Sequence, residues 1–224
     1  MKIIEGINYL LGGLFNKNKV RINQSLNYLN RDRVIDRNYM DYIRLSSLEL
    51  IANEIYKNKI PGAVAELGVY KGKFARYINL YFADRKLYLF DTFKGFDEKD
   101  INAEIQNTFS SGGQDFSNTS VTKVLSIMPN PANCIIKEGF FPETANGLEE
   151  EFAFVSIDAD LFEPIYKGLE YFYPRLKKGG FIFIHDYNND LYKGARQAVD
   201  KYCLEKNLNK FPLPDSGGTA VIVK

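Results

Sequence analysis

From residue 63 onward the chain repeats one pattern: a short, continuously apolar run followed by a segment of helical periodicity. The runs are Ala63–Leu67, Lys86–Asp91, Asn133–Ile136, Phe152–Ile157 and Phe181–Ile184, the last entered through a tight turn at Lys178-Gly179-Gly180. Helices are expected over Lys73–Phe82, Val121–Ile127, Pro164–Leu176 and Tyr192–Leu204. Strands apolar on both faces must be covered on both faces, and strand–helix alternation makes neighbouring strands parallel. The tail differs. Phe211–Asp215 and Ala220–Val223, joined at Gly217-Gly218, read as an antiparallel edge hairpin. The expectation is an α/β fold: a mostly parallel seven-stranded sheet with an antiparallel C-terminal edge and helices on both faces.

Ahead of this alternation, Leu45, Leu48, Ile51, Ala52 and Ile55 recur at helical spacing, and Lys59 to Gly62 break that helix. Residues 1–40 are polar and rich in Asn and Arg. They are expected to form a helical appendage, a lid or a subunit contact in a homo-oligomer, ahead of a domain over 41–224. Met1–Phe15 is mildly apolar but carries Glu5 and Asn8 and lacks a small-residue cleavage site, so it reads as an amphipathic helix, not a signal peptide.

Composition excludes several classes. With 224 residues, 45% of them hydrophobic, the chain supports one well-cored domain. Its 29 basic against 28 acidic residues give a net charge of +1, without the basic excess that nucleic-acid binding leaves. No apolar run reaches the roughly 18–20 residues that span a bilayer. Cys134 and Cys203 form neither a CxxC pair nor a disulfide framework, which points to a reducing, cytoplasmic setting.

Ligands of such sheets bind beyond the carboxyl ends of the strands. The first run ends Glu66-Leu67-Gly68-Val69-Tyr70-Lys71-Gly72. Tyr70 stands where a dinucleotide fingerprint has its second glycine, which disfavours a pyrophosphate. Asp91, ending the second run, suits ribose hydroxyls; the competing reading is a helix cap. Glu138-Gly139 ends the third, where an adenine edge can lie. Ser156-Ile157-Asp158-Ala159-Asp160 and Ile184-His185-Asp186-Tyr187 bring three acids and the one histidine of the chain to neighbouring strand ends. Carboxylates this close want a cation or a shared proton, and hard oxygen ligands favour Mg²⁺ or Ca²⁺ over zinc.

These segments resemble the macrocin/mycinamicin-type O-methyltransferases, the TylF/MycF family of Rossmann-like class I enzymes that use S-adenosylmethionine. The resemblance runs from Asp41 to the C-terminus. It rests on Asp41-Tyr42-Ile43-Arg44-Leu45, the Glu66–Gly72 segment, Asp91-Thr92-Phe93-Lys94-Gly95-Phe96, Asn118–Val121, Ile157–Leu161 and Gly179–Phe181 running into His185-Asp186-Tyr187. It implies that Glu66, Gly68 and Tyr70 shape the methionine and ribose pocket, with Asp91 on the ribose and Thr92 and Phe93 beside it. It further implies Ser117, Ser120, Glu138 and Gly139 around the adenine and methionine ends. Asp158 would contact the cofactor side and ligate a divalent metal, Mg²⁺ or Mn²⁺, together with Asp186. Asp160 would be the general base. The family often carries two adjacent acids where this chain has His185-Asp186. Imidazole is a poor Mg²⁺ ligand, so His185 is left as a base, a group behind the ligands, or a ligand for a softer ion such as Mn²⁺.

The expected reaction is methyl transfer to a sugar hydroxyl of a glycan or natural product, with Phe93, Phe96, Tyr187, Asn188 and Arg196 as acceptor-side candidates. A catechol or phenol acceptor, and a nucleoside-binding protein without catalysis, remain as alternatives.

Overall fold

The computed structural model describes residues 6, 7, 9–12, 41–111, 113 and 115–224. The chain divides into two units, Met1–Tyr39 and Met40–Lys224. In the first, residues 6, 7, 9, 10 and 12 are helical; the remainder of the helix expected over Met1–Phe15, and of the appendage to residue 40, lies outside the described residues.

The second unit opens with α1 (Tyr42–Lys57), started by Asp41, whose Oδ1 accepts from the amides of Ile43 and Arg44 at 2.8 and 3.3 Å. Such a cap satisfies amides that have no partner within the helix. There follow β1 (Ala63–Leu67), α2 (Lys73–Tyr81), β2 (Leu87–Asp91), α3 (Glu98–Gln106), α4 (Val121–Ser126), β3 (Cys134–Glu138), β4 (Phe152–Ile157), α5 (Phe162–Arg175), β5 (Leu176–Ile184), α6 (Lys193–Lys206), β6 (Phe211–Leu213) and β7 (Thr219–Val223). The strands form one sheet in the order β3-β2-β1-β4-β5-β7-β6, with β7 antiparallel to both β5 and β6 and the remaining pairs parallel.

Period-two alternation divides the core. Ala63, Ala65 and Leu67 of β1 face a cluster with Ile165, Leu169 and Phe172 of α5 and Val199 and Tyr202 of α6. Val64 faces the other way, into a cluster with Leu48, Ala52 and Ile55 of α1 and Phe74 and Ile78 of α2. Glu66 shares the parity of Val64, which turns it toward the side of α1.

Two elements differ from expectation. Helix α3 gave no apolar signal, because the one residue it buries is Glu104; Asp97 caps it by accepting from the Lys99 amide. The turn expected at Lys178–Gly180 is instead the irregular first half of β5. There the Gly179 amide donates to the Lys224 carbonyl at 2.6 Å, and Gly179 adopts φ +80°.

Candidate active site

The sheet order places the ends of β1 and β4 side by side, because both central strands run parallel there. Gly68 leaves β1 at φ +82°, and a Cβ there would lie 2.1 Å from the Asp158 carbonyl oxygen. No other residue fits between the two strand ends.

Asp91, at the end of β2, locks the adjoining loops. Its Oδ2 accepts from the amides of Val69 and Tyr70, both at 2.7 Å, and its Oδ1 from the Phe93 amide at 2.6 Å. Tyr70 and Phe93 both hold left-handed backbone, at φ 48° and 54°. The helix-cap reading of Asp91 is therefore replaced by a loop-locking role, with further accepting capacity left on Oδ1. Tyr70 donates its hydroxyl to Asn118 Oδ1 at 2.6 Å, and Thr119 donates to the Tyr70 carbonyl. These bonds close the 115–120 loop over the β1 turn.

The ends of β4 and β5 carry the acids. His185 Nδ1 lies 3.1 Å from Asp158 Oδ1 and 2.9 Å from Asp186 Oδ2. Arg44 reaches across from α1 to bond Asp158 Oδ2 at 3.0 Å, its guanidinium 3.9 Å from the centre of the Phe74 ring. Asn189 Nδ2 donates to Asp186 Oδ1 at 2.7 Å. Asp160 and Asp186 are both left-handed, at φ 58° and 59°, strain of a kind that persists where surrounding structure imposes it.

Electrostatics separates these groups. Burial opposes ionisation of Asp158, but Arg44 and His185 outweigh it and hold the carboxyl well below its ordinary range. Asp160 moves the opposite way, raised by burial and by the charges of Asp186 and Asp158, with Asp186 in hydrogen-bonding range. Burial works against the His185 cation, yet Asp158 and a hydrogen bond to Asp186 raise it to about 10. Glu66 is raised by burial and by Asp158, against the pull of Arg44. Two acids at the end of β4 thus diverge: Asp158 is held as an anion, and Asp160 is pushed toward its protonated form.

Other expected site residues sit further out. Phe93 is buried in the core on the α1 side of the sheet. Thr92 donates to the Gly95 carbonyl at 2.5 Å and builds its own turn. Ser120 is the cap of α4, accepting from the Lys123 amide at 3.3 Å, and Ser117 is exposed, its amide bonded to Asp115. Glu138 is exposed at the end of β3, and the Gly139 amide donates to the Asp91 carbonyl at 2.9 Å. Tyr187, Asn188, Asn189 and Arg196 line a cleft of about 320 Å³, and Asn189 joins that cleft to Asp186. The sequence motif that contains Arg44 assigns it no role. Its signal is a cation on the stripe of α1 that also buries Leu48, Ala52 and Ile55.

A family model described as macrocin-O-methyltransferase (TylF) matches residues 34–223. The chain belongs to this family. Mycinamicin III 3''-O-methyltransferase of Micromonospora griseorubida is 27% identical over 177 residues, 71% of this chain and 67% of that protein. A 4'-O-methyltransferase of Streptomyces olivaceus acting on 8-demethyl-8-(2,3-dimethoxy-alpha-L-rhamnosyl)-tetracenomycin-C is 25% identical over 191 residues, 80% of this chain and 71% of that protein. Among solved structures, a calicheamicin methyltransferase superposes with TM-score 0.64 at 21% identity, covering 80% of this chain and 78% of that one; it shares the fold. This TylF-family chain is an S-adenosylmethionine-dependent O-methyltransferase of the Rossmann-like class I fold. No helix among the described residues is long and apolar enough to cross a membrane.

The residues present fit the methyl donor. Among the described residues, buried Arg44 Nε and Glu66 Oε2 have no hydrogen-bond partner, and the two side chains complement the carboxylate and ammonium of an amino-acid end. They also fit a divalent ion: Asp158, His185 and Asp186 each bring one ligand atom, all within 4.8 Å of one another.

Proposed function

We propose that this TylF-family enzyme methylates a sugar hydroxyl of a glycan or natural product, with Asp160 as general base and a divalent cation assisting. The observation that carries the reading is the Asp158–His185–Asp186 cluster, with Asp160 in hydrogen-bonding range of Asp186, beside an open cleft. The sugar acceptors in the names of both curated relatives support the substrate class.

Methyl transfer from a sulfonium is an in-line displacement, so the protein must hold donor sulfur, methyl and acceptor oxygen in register. The β1 turn, with Gly68 and Tyr70, and the Asp91-locked loops provide a fixed bed for the donor. Asp91 Oδ1 would accept from a ribose hydroxyl, Glu66 and Arg44 would meet the methionine end, and Ser117, Ser120, Glu138 and Gly139 would lie toward the adenine side. The acceptor lies in the cleft of Tyr187, Asn188 and Arg196. Asp160 takes the hydroxyl proton as the oxygen attacks. Burial and the charges of Asp186 and Asp158 favour the protonated form of its carboxyl, which suits a group that receives a proton. Asp158 and Asp186 would hold the cation, Mg²⁺ or Mn²⁺, which when bound lowers the pKa of a coordinated hydroxyl. A vicinal diol offers two such oxygens. The setting is the cytoplasm, consistent with two free cysteines, and residues 1–40 act as a lid or subunit contact.

The test is Asp160→Asn. Calorimetry should give unchanged S-adenosylmethionine affinity, while kcat falls by about 10²–10⁴-fold. Unchanged turnover would remove Asp160 from the reaction.

A further inference from the structure

We infer that His185 Nδ1 is a direct ligand of the cation, so that the site is built for a borderline transition ion such as Mn²⁺, Fe²⁺ or Co²⁺, not for Mg²⁺. This rests on the metal part of the preceding proposal and goes beyond it in naming the third ligand and the class of ion.

The tautomer comes first. His185 Nε2 lies 3.0 Å from the Ser216 carbonyl oxygen. A carbonyl can only accept, so Nε2 carries a hydrogen, and the proton a cation would displace on binding is the one at Nδ1, leaving a neutral ring with its lone pair there. In the structure Nδ1 meets Asp158 Oδ1 at 3.1 Å and Asp186 Oδ2 at 2.9 Å, the two oxygens with which it would share the cation. Ligands about 2.1 Å from an octahedral ion stand about 3 Å apart at adjacent corners, so these spacings match one coordination polyhedron.

The outer atoms are arranged to the same end. Each carboxylate has one oxygen turned to Nδ1 and the other tied from behind: Asp158 Oδ2 by Arg44 at 3.0 Å, Asp186 Oδ1 by Asn189 at 2.7 Å. The turn behind the ring is itself fixed. The Ser216 amide donates to Asp41 Oδ2 at 2.8 Å, the same carboxylate that caps α1. Gly217 packs on the cluster so closely that a Cβ would lie 3.0 Å from Asp186 Oδ1 and 3.1 Å from His185 Cε1. A ligating imidazole typically donates its other N–H to a carbonyl or carboxylate, which fixes ring and tautomer. One imidazole with two carboxylates suits Mn²⁺, Fe²⁺ or Co²⁺, whereas Mg²⁺ prefers oxygen ligands and gives up water reluctantly.

The experiment uses the full chain freed of metal and titrated with MnCl₂ or MgCl₂ in a calorimeter, followed by pulsed electron paramagnetic resonance of the Mn²⁺ form. The wild type should bind Mn²⁺ at least tenfold more tightly than Mg²⁺ and show coupling to a directly bound ¹⁴N. His185→Asp should lose that coupling and narrow the Mn²⁺/Mg²⁺ ratio by about tenfold or more. Mn²⁺ bound without ¹⁴N coupling in the wild type, a readout that needs no variant, would overturn the inference while leaving the metal reading intact. Binding of neither ion by folded wild type would overturn both.

Discussion

Asp91→Asn separates two jobs that one carboxylate can do. Asp91 accepts three backbone N–H bonds, from Val69 and Tyr70 at 2.7 Å and from Phe93 at 2.6 Å. A carboxamide keeps one oxygen. Its better orientation leaves that oxygen on Val69 and Tyr70 and turns an NH₂ toward the Phe93 amide, donor against donor. One charge-assisted bond is lost, at about 1.5–3 kcal/mol, and the other two become neutral bonds of about half the strength. Because the side chain is half-buried, the sum is about 2–4 kcal/mol. For a domain of this size each kcal/mol moves Tm by about 2–4 °C, so the cofactor-free variant should melt roughly 4–16 °C lower. Differential scanning calorimetry without S-adenosylmethionine reads this directly. A residue whose work is confined to ribose hydroxyls would leave the apo Tm alone and change only affinity. An apo Tm within about 1 °C of wild type would therefore refute the loop-locking argument.

Gly68→Ala should be worse, by about 3 kcal/mol or more, because its Cβ meets the Asp158 carbonyl at 2.1 Å in a left-handed backbone; a normal urea midpoint would contradict that packing. Arg44→Met removes a buried cation from Asp158, which is partly exposed and keeps His185 at 3.1 Å, and should cost about 1–3 kcal/mol in urea unfolding; a loss below about 0.5 kcal/mol would deny the pair its role. Asp100 is pushed up to about 7 by burial and by Asp97, Glu163, Glu104 and Glu143. A folded pKa above the unfolded value of about 3.9 means stability complete at low pH and lost as pH rises through 7. Asp100→Asn should raise Tm at pH 8 by about 2–4 °C and leave it unchanged near pH 4; equal effects at both would contradict this.

The alternation of apolar runs located five strands and four helices because most of them bury an apolar face, although β3 is only partly buried and α4 buries Val124 alone. Val64 and Leu87 lie at 0% exposure, and such positions leave a plain periodic trace. Helix α3 left none, since it buries a glutamate, and the first half of β5 was hidden by two glycines that resemble a turn. The acid cluster was legible for a topological reason: strand ends in a parallel sheet converge. What could not be read was who bonds whom. Arg44 lies 114 residues from Asp158, and the Ser216 carbonyl reaches His185 only because β7 folds back on β5. Asp91 shows the same limit. Its position at a strand end suggested a ligand, while its three amide partners appear only once the loops are folded.

The measurement that most directly tests the account is methyl transfer from ¹³C-methyl S-adenosylmethionine to a panel of nucleotide-activated sugars, glycosides and catechols, read by two-dimensional NMR. The account predicts an O-methyl signal correlated to a ring carbon of a sugar with vicinal hydroxyls, abolished in Asp160→Asn at unchanged cofactor affinity. Label appearing on a phenolic oxygen alone, with every sugar unmodified, would contradict it.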